Sequence, residues 1–399
     1  MNAVWVQDWV GLRAFTDANF GVKYHWRHDM DLYPNLASTI AGLESQGIRF
    51  LGYFNPFVAH EYGMFETAAA AGWLIEKPTG EVYDFPIITF SGSLVDVFDA
   101  EAADWFKYYA HKAVDLGMRG WMSDFGEWLP YDARTSAGTG ATLHNLYPTR
   151  WHELSREVLA DRYPDGDFVL LTRSGFTGEG RVAQIVWGGD QEADFSESDG
   201  IATAVRAGLT MGLSGVLFYT HDIAGFSGGP STEELFLRWV ELGAFTPVMR
   251  THDGLRKLEN IHFDSTDRTR SQFKRFADIH AALGPYWQTL AQQALDSGVS
   301  VVRHPFLLDL NPQALSYDLE WAVGEDIILA PVVEAGADTV AVWLPEGEWT
   351  HAPTGTIYQG GQALEVDAPI GSPAVFVRLQ GRAMTAEVRD AVLKPLRLP

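Results

Sequence analysis

The chain has 399 residues, 46% apolar and 20% charged, an ordinary globular composition with material for a large core and a second module. Its formal net charge of −23 excludes nucleic acid or an anionic membrane surface as a general partner, because both would be repelled over most of the surface. Cysteine is absent, which excludes disulfide frameworks and thiolate metal centres and fits a reducing compartment.

Residues 3–9 (AVWVQDW) alternate and then turn polar, the pattern of a strand whose end carries Gln7 and Asp8. Helical spacing follows at 35–47. A strand at 48–54 stops at Asn55 and Pro56, a helix takes 66–74, and 79–95 reads as a β-hairpin inserted in a loop. After Asp99, the residues Ala102, Trp105, Phe106, Tyr109, Ala113 and Val114 recur at three- and four-residue steps, which predicts an amphipathic helix. It ends near Gly117 and leads into a short buried strand at 119–122. The alternation continues with a helix at 151–161, strands at 168–173 and 184–188, a helix at 199–212 and a strand at 216–219. Ser231 and Glu234 have the spacing of a capping box opening a helix at 232–242; a strand at 247–250 and one long helix at 270–297 close the series.

Strands separated repeatedly by helices mean a parallel sheet with helices outside. Polar residues gathered at strand ends favour a closed TIM-type (β/α)8 barrel, and no Gly-rich phosphate loop follows an early strand to suggest a doubly wound nucleotide fold. From about residue 301 short strands with Gly and Pro turns take over, at 326–333, 339–345, 348–353 and 373–379, as in an antiparallel β-sandwich. The expected division is a catalytic barrel over 1–300, a sandwich over 301–380 and a helical tail over 381–399. No run approaches the length of a membrane span and no basic, then apolar leader opens the chain, so the expected location is the cytoplasm.

Two of the strands end in carboxylates. Residues 119–131 (RGWMSDFGEWLPY) place Asp124 at a strand end with Glu127 just past it, and residues 184–190 (QIVWGGD) run out through two glycines to Asp190. Barrel enzymes keep their chemistry at this end of the strands. Two carboxylates there are the minimal equipment for splitting a glycosidic bond, one as nucleophile and one as proton donor. Taken singly, either aspartate is as well explained by a helix cap or a solvated loop.

Several stretches together resemble glycoside hydrolase family 31 and, within it, the sulfoquinovosidase-like branch. They are WVQDWVGLR (5–13), GWMSDFGEWLP (120–130), LTRSGFTG (171–178), WGGDQEADF (187–195), HDIAGF (221–226), FTPVMRTHDG (245–254), LAPVVEAGADTVAVWLPEGEW (329–349) and APIGSPAVFVR (368–378). The resemblance covers nearly the whole chain and implies a retaining, exo-acting α-glycosidase. Asp124 would attack the anomeric carbon, and Asp190 would protonate the leaving oxygen and later deprotonate water. Arg173 and His252 match positions that hold hydroxyls of the first-subsite sugar, and Gln7 and Asp8 match a strand end that also touches it. No cofactor or metal is implied. The implied partner is a small-molecule α-glycoside, with homo-oligomerisation left open.

The match loosens where the branch grips a C6 sulfonate with an arginine, a tryptophan three residues later and a tyrosine. Aligned through Phe20 and Gly21, this chain has Lys23 in place of the arginine, keeps Trp26, and has Phe226 where the tyrosine would be. Lysine is a strongly hydrated point charge without the arginine fork. An α-glucosidase or α-galactosidase-like enzyme for neutral sugars therefore stays in play beside an α-sulfoquinovosidase. Family members carry an N-terminal sandwich and a first βα unit before the WVQDW strand, so the expectation is a barrel lacking that unit, with a non-catalytic carbohydrate-binding protein as the reading from another class. A metal-dependent hydrolase built on His25, His28, His221, Asp222, His252 and Asp253 is disfavoured, because no H-x-H follows an early strand.

Overall fold

Parallel strands Ala3–Trp5, Arg49–Phe54, Gly120–Ser123 and Val169–Thr172 lie side by side in chain order, and residues 185 and 186 of the strand Ile185–Trp187 continue the sheet beside Val169–Thr172. This is the computed structural model of the chain; it describes residues 1–16 and 20–397 and divides into two compact units, Met1–Val186 and Trp187–Pro399. The helix Ala100–Asp115 begins at Asp99, whose side chain accepts the amides of Glu101 and Ala102, and it buries Ala102, Phe106, Ala110 and Ala113 at the predicted spacing. Its Phe106 ring meets Trp151 of the helix Tyr147–Arg162 at 4.4 Å. Gly120 lets two strands close up. At φ 138°, a Cβ there would stand 1.9 Å from the Val169 carbonyl oxygen.

The inserted hairpin forms as Phe85–Ile87 and Phe90–Leu94, with Phe57–Ala59 added as a third antiparallel strand. The opening strand is shorter than the alternation predicts. It stops at Trp5, and Gln7–Val10 is a 3-10 helix, because Trp9 and Val10 are both buried and a strand cannot turn consecutive side chains to one face. A small hairpin, Leu12–Ala14 with Phe20–Val22, follows.

In the second unit the helix Ile201–Leu213, the strand Tyr219–Thr220 and the helix Glu233–Gly243 keep the βα alternation. Three expectations are corrected here. The cap of Glu233–Gly243 is Thr232, which accepts the Leu235 amide, while Ser231 accepts the Ile261 amide and Glu234 the Gly336 amide. Residues 247–250 form no strand. Their polar backbone is used singly instead, the Val248 carbonyl accepting the Thr220 hydroxyl at 2.7 Å. The long helix is two, Asp267–Ala282 and Gly284–Ser297, divided at Leu283 where Pro285 can only sit in a first turn.

An antiparallel sheet then runs in the order Val302–Arg303, Trp321–Val323, Ile327–Ala330, Ala374–Arg378, Glu348–His351, Ile357–Gln359, beside the pair Thr339–Leu344 and Gln362–Asp367. Ile328, Val342, Leu344, Trp349 and Phe376 share one buried cluster, the sandwich core. The tail forms the helix Ala386–Leu396, whose Val388, Val392 and Leu396 join Phe276 and Ile279 in another. The fold class is thus the expected one, βα alternation of the TIM-barrel type followed by an antiparallel β-sandwich. Among the described residues no helix is long and apolar enough to cross a membrane.

Candidate active site

The strand Gly120–Ser123 ends in backbone that few residues adopt: Phe125 sits at φ 60° and Gly126 at φ 110°. A Cβ on Gly126 would press within 2.9 Å of Pro148 and the Ser174 hydroxyl. This turn fixes Asp124 at the strand end, its amide donating to the Phe54 carbonyl at 2.8 Å. Asp124 is 7% exposed, and its carboxylate meets three donors. Tyr53 donates its hydroxyl to Oδ2 at 2.5 Å, the Phe125 amide donates to Oδ1 at 2.9 Å, and Arg173 Nη1 lies 3.3 Å from Oδ1. Burial, and then the charge of Asp124, push the Tyr53 hydroxyl well above its ordinary pKa, so it stays a donor. Arg173 leaves the strand Val169–Thr172, grips Glu127 Oε1 through Nε at 3.1 Å and Nη2 at 2.6 Å, and lies over the Phe125 ring at 4.2 Å. One guanidinium therefore braces both Asp124 and Glu127.

The other predicted residues of the first unit fall in separate contacts. Gln7 and Asp8 open the 3-10 helix, and Asp8 accepts the Tyr33 hydroxyl at 2.5 Å. Lys23 Nζ is 2.7 Å from Asp29 Oδ2, while Asp29 Oδ1 accepts the amides of Asp31 and Leu32. The hydrogen bond from Lys23 leads the causes that lower the Asp29 pKa. Trp26 is buried at φ 52°, gives its indole N–H to the Asn55 carbonyl at 2.8 Å and packs edge-on against Trp105 and Phe106.

In the second unit Asp190 is exposed and follows Gly188 and Gly189, with its carbonyl accepting the Ser227 hydroxyl at 2.9 Å. Gly188 is required by a close approach, since a Cβ would stand 2.3 Å from the Tyr219 hydroxyl. His252 Nδ1 accepts the Gly254 amide at 2.7 Å, and the ring is edge-on to Phe226 at 4.9 Å. In the neutral ring that leaves the proton on Nε2. Asp222 pairs with Arg250 at 2.8 Å. His221 takes the Trp239 indole N–H on Nδ1 at 2.9 Å and reaches the Thr246 hydroxyl through Nε2 at 3.0 Å. Burial, assisted by Arg250, lowers its pKa to about 3, so it remains a neutral packing residue.

Sequence reasoning notices Glu127 without giving it a role and passes over Tyr53, Asp29 and Tyr33. Tyr53 carries the only readable signal, a phenol one residue before the end of an apolar strand.

A profile of the glycosyl hydrolases family 31 TIM-barrel domain matches residues 4–290, and one of the family's C-terminal domain matches 298–381. The chain is 38% identical over 388 residues to a sulfoquinovosidase of Agrobacterium fabrum, covering 95% of this chain and 58% of that protein. It is 37% identical over 387 residues to a sulfoquinovosidase of Escherichia coli, covering 95% and 56%. A solved family 31 sulfoquinovosidase from E. rectale, in complex with the aza-sugar inhibitor IFGSQ, superposes with a TM-score of 0.92 at 32% identity, covering 98% of this chain and 59% of that one. The chain thus spans somewhat over half the length of these relatives.

Proposed function

The chain belongs to glycosyl hydrolase family 31, and from that premise we propose that the protein is a retaining, exo-acting α-glycoside hydrolase. Asp124 is the nucleophile: it attacks the anomeric carbon and forms a glycosyl ester. Asp190 gives its proton to the leaving oxygen and then takes one from the water that cleaves the ester. Arg173, His252, Gln7 and Asp8 hold the sugar hydroxyls. The observation that carries this reading is Asp124 itself, a buried carboxylate at a strand end, fixed in one orientation by three donors. The barrel occupies 1–300, the sandwich 301–380 and the tail 381–399, a division supported by the extents of the two family profiles. A cytoplasmic location fits the lack of cysteine.

The substrate we propose is an α-sulfoquinovoside, with Lys23 opposite the sulfonate, in keeping with the named activity of the relatives above; Trp26, whose indole N–H is already given to Asn55, would contribute at most an edge of its buried ring. A specific observation favours a neutral sugar as the second reading: the Lys23 ammonium is already paired with Asp29. Comparing hydrolysis of aryl α-sulfoquinovoside and aryl α-glucoside by the intact protein separates the two, and a clear preference for the glucoside removes Lys23 from substrate binding. Trapping with a fluorinated glycoside tests the mechanism. Mass added to the peptide carrying Asp124, and azide rescue of Asp190→Ala with retention, are the expected results; turnover by Asp124→Asn at the unmodified rate refutes the assignment.

A further inference from the structure

The helix Tyr147–Arg162 serves both ends of the contact between Arg173 and Asp124. Trp151 gives its indole N–H to the Asp124 carbonyl at 3.1 Å, and Ser155, one turn on, lies with its hydroxyl 3.2 Å from that of Ser123. Thr149 and His152, three residues apart on the same helix, reach Glu179 instead. Thr149 gives its hydroxyl to Oε2 at 2.8 Å, and His152 meets Oε1 through Nδ1 at 2.7 Å. Glu179 opens the 3-10 helix Glu179–Arg181, just past the stretch 173–178 that carries Arg173 and Ser174.

The mechanism above makes no use of these three side chains. His152 and Glu179 are both buried, and His152 Nε2 has no hydrogen-bond partner among the described residues. An apolar pair of the same volume would hold the fold at least as well, so what the polar pair adds is direction. The stretch it directs is closed on itself: a Cβ on Gly175 would stand 2.6 Å from Glu179 Cγ, so the glutamate stem lies against backbone two residues beyond Arg173. Ser174 ties the same stretch to the strand-end turn by giving its hydroxyl to the Phe125 carbonyl at 2.5 Å. A displaced Glu179 therefore carries Arg173 with it. The Arg173 contact to Asp124, at 3.3 Å, is already at the outer edge of a hydrogen bond and has little slack to lose. We infer that Glu179, held by His152 and Thr149, is a positioning residue for the reaction: it sets the stretch 173–178 so that Arg173 reaches Asp124, while Trp151 of the same helix holds the Asp124 backbone. The inference rests on the hydrolase reading above and adds residues that touch neither the sugar nor the leaving group.

The test separates direction from filling, reading both urea unfolding and hydrolysis of whichever aryl α-glycoside above the intact protein prefers. His152→Phe fills the space but loses the Nδ1 donor, and kcat/KM should fall about tenfold, the worth of one hydrogen bond to a charged group. His152→Asn sets an amide N–H near the place of Nδ1 and leaves a void; it should unfold at lower urea yet keep kcat/KM within about threefold. A packing role would order these two variants the other way. Thr149→Val, at a half-buried position, should lose about fivefold and keeps the test readable if the histidine variants do not fold. In an Arg173→Lys background the losses from His152→Phe and Thr149→Val should shrink to within about twofold, because the contact they support is gone, while their shifts in urea midpoint stay. Undiminished losses in that background, or an unchanged kcat/KM in both variants, overturn the inference. If neither glycoside is hydrolysed by the unmodified protein, the hydrolase reading fails instead. The nitrogen resonance of Arg173 Nε, identified by its disappearance in Arg173→Lys, then decides the positioning alone: a displaced signal in Thr149→Val supports it, and an unmoved one overturns it.

Discussion

Replacing Arg173 by lysine keeps a positive charge and removes the fork that braces Asp124 and Glu127 together. The guanidinium makes two contacts to Glu127 Oε1, at 3.1 and 2.6 Å, and one to Asp124 Oδ1 at 3.3 Å. A single ammonium cannot span both carboxylates and will settle on the closer and better-bonded Glu127. Asp124 then loses its cation. The lost contact is long, so about 1.5 kcal/mol, the lower end for a hydrogen bond to a charged group, is the fitting figure. The guanidinium over the Phe125 ring adds about 0.5–1 kcal/mol. Together they make about 2–2.5 kcal/mol, or a fall of about 30- to 70-fold in kcat/KM for an aryl α-glycoside if the nucleophile's orientation is used in the transition state. Steady-state hydrolysis reads the effect, with the urea midpoint as a check that the variant is folded. Activity within threefold of the unmodified protein would refute the role given to Arg173.

Tyr53→Phe removes the hydroxyl from a buried carboxylate and should cost about 1.5–3 kcal/mol in urea unfolding; a loss below about 0.5 kcal/mol would mean that the 2.5 Å contact is not a working hydrogen bond. Gly120→Ala and Gly47→Ala form a matched pair. Both have positive φ, but only at Gly120 would the new methyl meet backbone, 1.9 Å from a carbonyl oxygen, while nothing lies within 4 Å at Gly47. Gly47→Ala should cost about 1–2 kcal/mol and Gly120→Ala more than about 4, or prevent folding; equal costs would contradict the close approach of the strands. Glu241 is buried with Arg238 and the Gly371 amide, and burial raises its pKa from 4.5 to about 7 against the pull of those two donors. The folded state therefore holds a proton that the unfolded state releases between those values, so this contribution is full below about pH 4.5 and is lost as pH rises through 7. The size is about 3 kcal/mol by linkage, and Glu241→Gln should abolish that slope in stability measured from pH 4.5 to 7.5. Persistence of the slope in the variant would assign it to another group.

Much of this arrangement is legible before any coordinates. Asp124 stands out because the apolar run 120–122 breaks at Ser123 and a carboxylate, and because Phe125 and Gly126 leave no regular element to continue. The amphipathic helix Ala100–Asp115 is legible for the opposite reason, a clean period closed by an aspartate cap. Where reading fails, a tertiary contact overrides a local pattern. Ser231 and Glu234 have the spacing of a cap box, but each has a better partner far along the chain, the amides of Ile261 and Gly336, and Thr232 takes the cap. The alternation through Trp9 cannot show that its indole N–H turns inward to the Tyr53 carbonyl at 3.0 Å. Around the candidate site the missing information is of the same kind: Tyr53 and Asp29 look like core aromatic and loop charge until their partners, 71 and 6 positions away, are known.

The pairing of Lys23 with Asp29 bears on how such a site could change allegiance during evolution. A cation already neutralised by a neighbour rewards an anionic guest only to the extent that the guest displaces the carboxylate, and it presents little net charge to an uncharged one. If Lys23 faces the substrate as proposed, selectivity is then set by residue 29 as much as by residue 23. On that proposal, exchanging that aspartate for asparagine, whose amide oxygen can still accept the Asp31 and Leu32 amides, would tip the balance toward sulfonated ligands in one step.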